Sequence, residues 1–323
     1  MQNHPPMNQN LLQKEWLVIV NPNSGKGKGR KDWDTISSIL KKEDLSCTVK
    51  FTERKGHAIV LTSEAINEGF RKIITVGGDG TLNEVVNGVF SNDICPTTDI
   101  ALALIPVGTG NDWGRMFGIP SDYAKAIKII RDHKLMLHDI GLVSYYEETG
   151  TKKRYFINIA GVGFESAVVN RTNYQKDRGH GGKAIYFYNL LISLLTYKNT
   201  KAEIIIDNQT LTADIFSLNV GNGRYCGGGM RQTPNALPND GLLDVTIIND
   251  MGKIEIIRNL KILYDGTILN HPKVDGYKGR NIKVTSDSVI YVEADGESLG
   301  RTPAEFSIIP ASINIVYGTM VIQ

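Results

Sequence analysis

Residues 72–90 read KIITVGGDGTLNEVVNGVF, an apolar run that passes through Gly77, Gly78 and Gly80 into a helical pattern. Lys72 to Val76 has the composition of a buried strand, and Leu82 to Phe90 that of the helix that follows it. Glycines between a strand and a helix allow positive φ, which aims successive backbone N–H groups at one anion. The helix adds the positive end of its dipole. Phosphate is the natural occupant of such a turn.

The same design recurs on either side. Trp16 to Val20 reads as a strand that ends in Asn21-Pro22-Asn23-Ser24-Gly25, after which Trp33, Ile36, Ile39 and Leu40 recur at helical spacing. Cys47 to Phe51 is another strand, with a helix over His57 to Phe70 behind it. Ala101 to Ile105 is a fourth, ending in Pro106-Val107-Gly108-Thr109-Gly110-Asn111-Asp112. Strands alternating with helices predict a mostly parallel, doubly wound sheet, whose ligands bind at the carboxyl ends of the strands. All three Gly-rich segments fall there. One alone is an ordinary tight turn; three in equivalent places favour an anion site. Asp79 suits a magnesium-bound water, while Thr81 and Thr109 offer hydroxyls to nucleotide oxygens. No segment has the Walker pattern, and Gly25-Lys26-Gly27-Lys28-Gly29 lacks the spacing of a dinucleotide fingerprint, so a P-loop NTPase and an ordinary dehydrogenase both lose ground.

Length and composition bound the rest. The 323 residues predict two domains, and 41% hydrophobic with 22% charged content is that of a globular chain. Met1 to Asn10, rich in Asn, Gln and Pro, reads as a flexible leader without the features of a secretion signal, which predicts a cytoplasmic protein. A formal charge of +2 gives no electrostatic reason for a nucleic-acid partner. Cys47, Cys95 and Cys226 are odd in number and far apart, as in a reducing compartment. The longest apolar segment, Ala184 to Tyr197, contains Asn189, Ser193 and Thr196 and is shorter than the roughly 20 residues of a bilayer-spanning helix.

Near Leu142 the pattern changes. Arg154 to Ile159, Ala202 to Asp207, Thr210 to Val220, Leu242 to Ile248, Asn281 to Thr285, Val289 to Glu293 and Glu305 to Ile309 read as strands, interrupted by helices over Lys183 to Tyr197 and Lys253 to Tyr264. This predicts a β-rich, sandwich-like second domain with helices on one face. Gly221-Asn222-Gly223-Arg224 and Gly227-Gly228-Gly229 read equally as tight turns or as a backbone-close edge of a ligand site. Asp295-Gly296-Glu297 supplies two carboxylates on either side of a permissive glycine, although such a tripeptide alone is more often a turn.

Taken together, these motifs resemble the bacterial diacylglycerol kinase and lipid kinase family, which is related to sphingosine and ceramide kinases and more distantly to NAD kinases and phosphofructokinases. GGDGTLNEVVNG from Gly77 to Gly88 is its most specific signature, supported by NPNSGKG at Asn21, PVGTGND at Pro106 and DGE at Asp295. The resemblance extends from Trp16 to Gln323. It implies ATP bound by Asn21, Pro22, Asn23, Ser24, Gly25, Thr52, Gly77, Gly78, Asp79, Gly80, Thr81, Leu82, Asn83 and Thr109. It also implies a structural Mg²⁺ held by the carbonyls of Leu237 and Leu242 with the Asp240 carboxylate, and a catalytic base at Asp295 or Glu297, with Asp79 as fallback. The implied arrangement is a leader over residues 1–10, a nucleotide domain over 11–139, an acceptor domain over 140–303, and a segment over 304–323 returning to the first domain.

The expected activity is transfer of the γ-phosphoryl group of Mg-ATP to the hydroxyl of a diacylglycerol-like or sphingoid-like lipid, in a cleft between the domains. The enzyme would dock transiently on the inner face of the membrane. A same-fold kinase of a soluble acceptor, as NAD kinases are, and a non-catalytic lipid-binding protein are the rivals. Whether the chain forms a homodimer, and whether the Ala184 to Tyr197 helix lines the lipid pocket, stay open.

Overall fold

The computed structural model describes residues 15–176 and 183–320; the leader expected over Met1 to Asn10 lies outside the described residues. The chain forms two compact units, one containing the residues up to His138 and those from Ala311 onward, the other Asp139–Pro310.

The first unit follows the chain as β1 (Trp16–Val20), α1 (Ser24–Lys31), α2 (Trp33–Lys42), β2 (Cys47–Phe51), α3 (His57–Asn67), β3 (Lys72–Gly77), α4 (Asp79–Phe90), β4 (Ala101–Pro106), α5 (Asp112–Met116) and α6 (Tyr123–Asp132). The strands run parallel in the order β2-β1-β3-β4, and Asn314 and Ile315 add a further parallel strand beside Ala101 and Leu102 of β4. β1, β3 and β4 are apolar along nearly their whole length because helices cover both faces. Val18, Ile74 and Ala103 meet Ile36 of α2 and Ile127 of α6 in one core. The order reverses between β1 and β3, the place where an open parallel sheet leaves a crevice at its carboxyl edge.

Two boundaries differ from the sequence reading, each for a local reason. α3 stops at Asn67, short of Phe70, because Gly69 takes φ +93 and the amides of Gly69 and Phe70 bond back to the carbonyls of Ile66 and Ala65. α4 starts at Asp79 instead of Leu82, with Gly78 extended before it and an acidic residue at its positive end. The GGDGT segment is therefore largely the first turn of a helix.

The chain enters the second unit within β5 (Leu135–Glu147) and continues through β6 (Gly150–Phe156), β7 (Ile159–Gly163), α7 (Phe164–Lys176), α8 (Lys183–Thr196), β8 (Thr200–Ile206), β9 (Gln209–Gly221), β10 (Tyr225–Cys226), β11 (Met230–Arg231), β12 (Leu243–Asn249), α9 (Lys253–Asp265), β13 (Val274–Gly279), β14 (Asn281–Thr285), β15 (Tyr291–Ala294) and β16 (Glu297–Val316). One antiparallel layer runs β13-β12-β9-β7-β15-β16. The first half of β9 instead pairs with β8, and β8 with β14, which returns to residues 304–307 of β16. Two long strands thus serve both layers, with Val162, Leu218, Val245, Ile282, Val292 and Phe306 in the core. α7, α8 and α9 contribute Phe164, Val168 and Leu194 together with Ile256, Ile262 and Leu263 to a separate cluster with Phe216 and Ile248.

The expected strand Arg154 to Ile159 divides at Ile157 and Asn158, whose amides turn to a side chain instead of a neighbouring strand. The expected Glu305 to Ile309 is the interior of a 20-residue strand. β5, α6, α7 and β13 were not legible as elements in the sequence.

Candidate functional site

In the first unit the three Gly-rich segments meet. Asn21 donates through its side-chain amide to Thr81 Oγ1 (2.9 Å), and its backbone amide donates to the Val76 carbonyl (3.0 Å), tying the turn after β1 to the turn after β3. Asp79 joins that turn to the one after β4, its two oxygens accepting from the amides of Asp112 and Trp113 (3.1 Å each). Backbone packing is as close. A Cβ on Gly25, whose φ is +59, would lie 2.1 Å from the Val107 carbonyl oxygen, and one on Gly108 would lie 2.7 Å from Gly78 Cα. Only glycine meets both demands at Gly25.

The turn after β1 is left-handed through Gly25, Lys26 and Gly27 (φ +59, +61, +85). The first amides of α4 have no partner within the helix. Among the site residues read from sequence, Ser24 approaches Gly78, Thr109 is exposed at its turn, and Leu82 is fully buried in the core, leaving it a packing role. Asn83 is also buried, accepting from the Asn87 side chain. Thr52 borders a cleft of about 640 Å³ with Pro22, Asn23, Arg30, Trp33 and Glu53. Asn21 to Gly25, Gly77 to Thr81 and the Gly108 turn are thus brought together, and Pro22 and Asn23 of the first turn share the cleft with Thr52. A convergence of backbone amides, glycines and hydroxyls with an adjoining cation, Arg30, can hold a polyphosphate.

In the second unit Asp295 and Gly296 form the two-residue turn between β15 and β16, with φ +49 and +78, so that Ala294 pairs with Glu297. The Asp295 carboxylate folds back into a nest of three amides: Oδ2 accepts from Ile157 (2.8 Å), and Oδ1 from Asn158 (3.0 Å) and Ile159 (3.1 Å). The Gly221 to Arg224 run buttresses this nest. The amides of Asn222 and Gly223 both donate to the Asn158 carbonyl, and a Cβ on Gly223 would lie 1.8 Å from Asn158 Oδ1. Gly227, Gly228 and Gly229, all with positive φ, turn the β10–β11 hairpin.

Two further acids stand by Asp295 and Glu297. Glu293 is 7% exposed and accepts from the Gly296 amide (3.0 Å). Burial, reinforced by the negative charges of Asp295, Glu165 and Glu297, pushes its carboxyl up to about 8. Glu165, at the start of α7, accepts from Ser217 Oγ and from Gln232 Nε2 (3.0 Å), and burial raises its pKa too. Such a set can accept and hold a proton near neutral pH. Sequence reasoning missed Glu165 as a site residue and read Glu293 only as a strand end. Its one visible signal was a carboxylate inside the apolar stretch Val292-Glu293-Ala294.

Elsewhere in this unit, Ser193, Thr196 and Tyr197, from the end of the apolar helical segment, border a cleft of about 600 Å³ with Ala167, Asn170 and Tyr291. Asn170 also accepts from Ser298 Oγ (3.2 Å), next to Glu297. The side chains of Ile185, Phe187 and Leu191 lie outside the described residues. At the Leu237–Leu242 turn, Asp240 Oδ1 accepts from the Leu242 amide (3.0 Å), while Oδ2 lies 3.3 Å from Lys278 Nζ, which also pairs with Asp244 (3.0 Å). A carboxylate in a turn is donor chemistry that suits a hard cation. A Mg²⁺ there would share Asp240 with the Lys278 ammonium.

Residues 15–143 match the family model of the diacylglycerol kinase catalytic domain, and residues 158–317 that of the YegS C-terminal NAD kinase beta sandwich-like domain. A diacylglycerol kinase of Staphylococcus carnosus (strain TM300) is 28% identical over 295 residues, covering 91% of this chain and 92% of its own. One from Mycobacterium tuberculosis (strain CDC 1551 / Oshkosh) is 29% identical over 302 residues, covering 93% and 94%. The fold matches a crystal structure of a diacylglycerol kinase from Bacillus anthracis str. Sterne with a TM-score of 0.71 at 24% identity, over 95% of this chain and 98% of that one. Both units are accounted for by one lineage, and the chain belongs to the bacterial diacylglycerol kinase and lipid kinase family, phosphotransferases that act on an alcohol group.

Proposed function

We propose that this protein transfers the γ-phosphoryl group of Mg-ATP to the hydroxyl of a diacylglycerol-like or sphingoid-like lipid. The observation that carries the reading is the convergence of the turns after β1, β3 and β4. In this reading Asn21 to Gly25, Thr52, Gly77 to Thr81 and Thr109 hold the nucleotide, while the buried Leu82 and Asn83 fix the helix behind them. Asp79 keeps two of the turns in register, a duty its two amide bonds support. Bound magnesium would neutralise phosphate charge, and Leu237, Asp240 and Leu242 would hold a structural Mg²⁺ within the second unit.

The lipid hydroxyl oxygen attacks the γ-phosphorus, the bond from that phosphorus to its bridging oxygen breaks, and ADP leaves with the bridging electrons. The hydroxyl proton passes to a carboxylate. Three amides already occupy Asp295, which supports Glu297 as the base and Asp295 as the positioning group that sets the turn. The apolar wall of the second unit's cleft, with Ala167, Val289 and Ile290, supports an acyl-bearing acceptor.

The test is incubation with γ-labelled ATP, magnesium and dioctanoylglycerol, sphingosine or NAD in parallel. Label in a lipid product is the expected result. Label in NAD alone would make the protein a soluble-acceptor kinase, and binding of lipid with no labelled product would make it a non-catalytic lipid-binding protein.

A further inference from the structure

α9 is apolar on more sides than its packing needs. Ile256, Ile262 and Leu263 face the core of the second unit, while Ile254, Ile257, Leu260 and Tyr264 are 68%, 52%, 42% and 55% exposed. A surface helix ordinarily keeps one apolar stripe and turns polar residues outward. Here the outward arc interleaves those four apolar side chains with exposed Lys253, Arg258 and Lys261. Leu195, 63% exposed at the end of α8, extends the apolar surface, because its carbonyl accepts from Lys253 Nζ.

The acids of this helix do not cancel that charge. Glu255 turns aside to Lys273 (2.7 Å) and His271 (3.7 Å). Asp265, at the end of the helix, bonds the Thr267 hydroxyl and amide and has Lys261 and Arg231 beside it. Lys253, Arg258 and Lys261 thus outnumber the one carboxylate on the arc, Asp265, which Lys261 shares with Arg231, and leave the arc net positive.

We propose that the outer face of α9 is a docking surface for an anionic lipid bilayer, with Ile254, Ile257, Leu260 and Tyr264 entering the headgroup boundary and Lys253, Arg258 and Lys261 meeting lipid phosphates. A helix of 13 residues with apolar and basic side chains interleaved on one face lies in the plane of a membrane surface. A protein partner is disfavoured because lysine is depleted from the cores of protein interfaces. The inference rests on the lipid-kinase reading, since it supplies the way such an enzyme reaches a membrane-dissolved substrate, but its test requires no turnover.

The full chain is sedimented with vesicles of phosphatidylcholine alone or mixed equally with phosphatidylglycerol, with no nucleotide present. Wild type should bind the anionic vesicles and release them as salt rises. Ile254→Glu with Ile257→Glu, and separately Arg258→Glu with Lys261→Glu, should each lower binding at least about tenfold. Turnover of dispersed dioctanoylglycerol should stay unchanged, which also shows the variants to be folded. Equal binding to both vesicle types, or wild-type binding by both variants, would overturn the proposal. So would a wild-type dimer that Ile257→Glu converts to monomer without altering vesicle binding, since that outcome assigns the face to a second copy. Vesicle binding lost in the variants while no acceptor is phosphorylated would sink the kinase reading and leave this surface standing.

Discussion

The turns of the first unit and the acid cluster of the second are built by opposite means. Around Asn21, Gly78 and Gly108 the working groups are chiefly backbone amides, and the side chains matter by being absent, as at Gly25 against Val107, or by tying loops together, as Asp79 does. Around Asp295 the working groups are carboxylates delivered from separate elements: Glu165 from α7, Glu293 from β15 and Glu297 from β16. A backbone site is fixed by which residues are missing a Cβ, so it tolerates little substitution at a few glycines. A side-chain site is fixed by burial and like charge, so it responds to pH and to isosteric change.

That contrast can be broken most severely at Glu297. Glu297→Gln should lower kcat by about 10²–10⁴-fold with an unchanged melting temperature; full activity would remove it as base. Asp295→Ala should behave differently. It strands three amides, so a stability loss of roughly 3 kcal/mol or more is expected in denaturant titration, together with lost turnover. A variant that is inactive yet as stable as wild type would show Asp295 to be chemical and not positional.

The backbone side of the comparison is sharpened by a pair of glycines. Gly25→Ala meets both a left-handed φ and a carbonyl at 2.1 Å, whereas Gly27→Ala meets the φ alone, with nothing within 4 Å. ATP affinity, read by calorimetry, should fall at least about tenfold for the first and little for the second, since local φ strain costs only about 1–2 kcal/mol. Equal affinities would mean that the approach of Gly25 to Val107 is not needed for binding.

A subtler effect concerns pH. Glu293 has a folded pKa near 8, above its ordinary value of 4.5. Its contribution to stability is therefore complete below about 4.5, where both states are protonated. It is lost progressively as pH rises toward 8, because the unfolded chain gives up the proton first. Glu165 and the charges of Asp295 and Glu297 face it and push the same way. Melting temperature should decline over this window in wild type and decline less in Glu293→Gln. The smallest expected change is Thr81→Val, which removes the bond from Asn21 and should cost about 0.5–1.5 kcal/mol of stability.

The doubly wound half was legible because each of its signals is local. Trp16–Val20 and Cys47–Phe51 coincide with the strands read from apolar runs, and the glycine turns follow directly from residue type. The second half was harder to read for a physical reason. β9 and β16 each change partner partway along their length, and no local pattern records where a strand passes from one layer to the other. Asp295-Gly296 was readable as a turn, but its three amide donors lie 136 to 138 residues away in sequence.

What the chain alone determined was the alternation of strand and helix, the glycines of the turns after β1, β3 and β4, and the acids of Asp295-Gly296-Glu297. Hydrophobic period and backbone freedom are properties of a few neighbouring residues. Only the tertiary structure decided that Asp79 clamps two turns together, that Glu165 and Glu293 join the acid cluster, and that α9 carries an apolar face its own core does not use. Burial, like-charge proximity and packing are relations between residues far apart in the chain, and they exist only once it has folded.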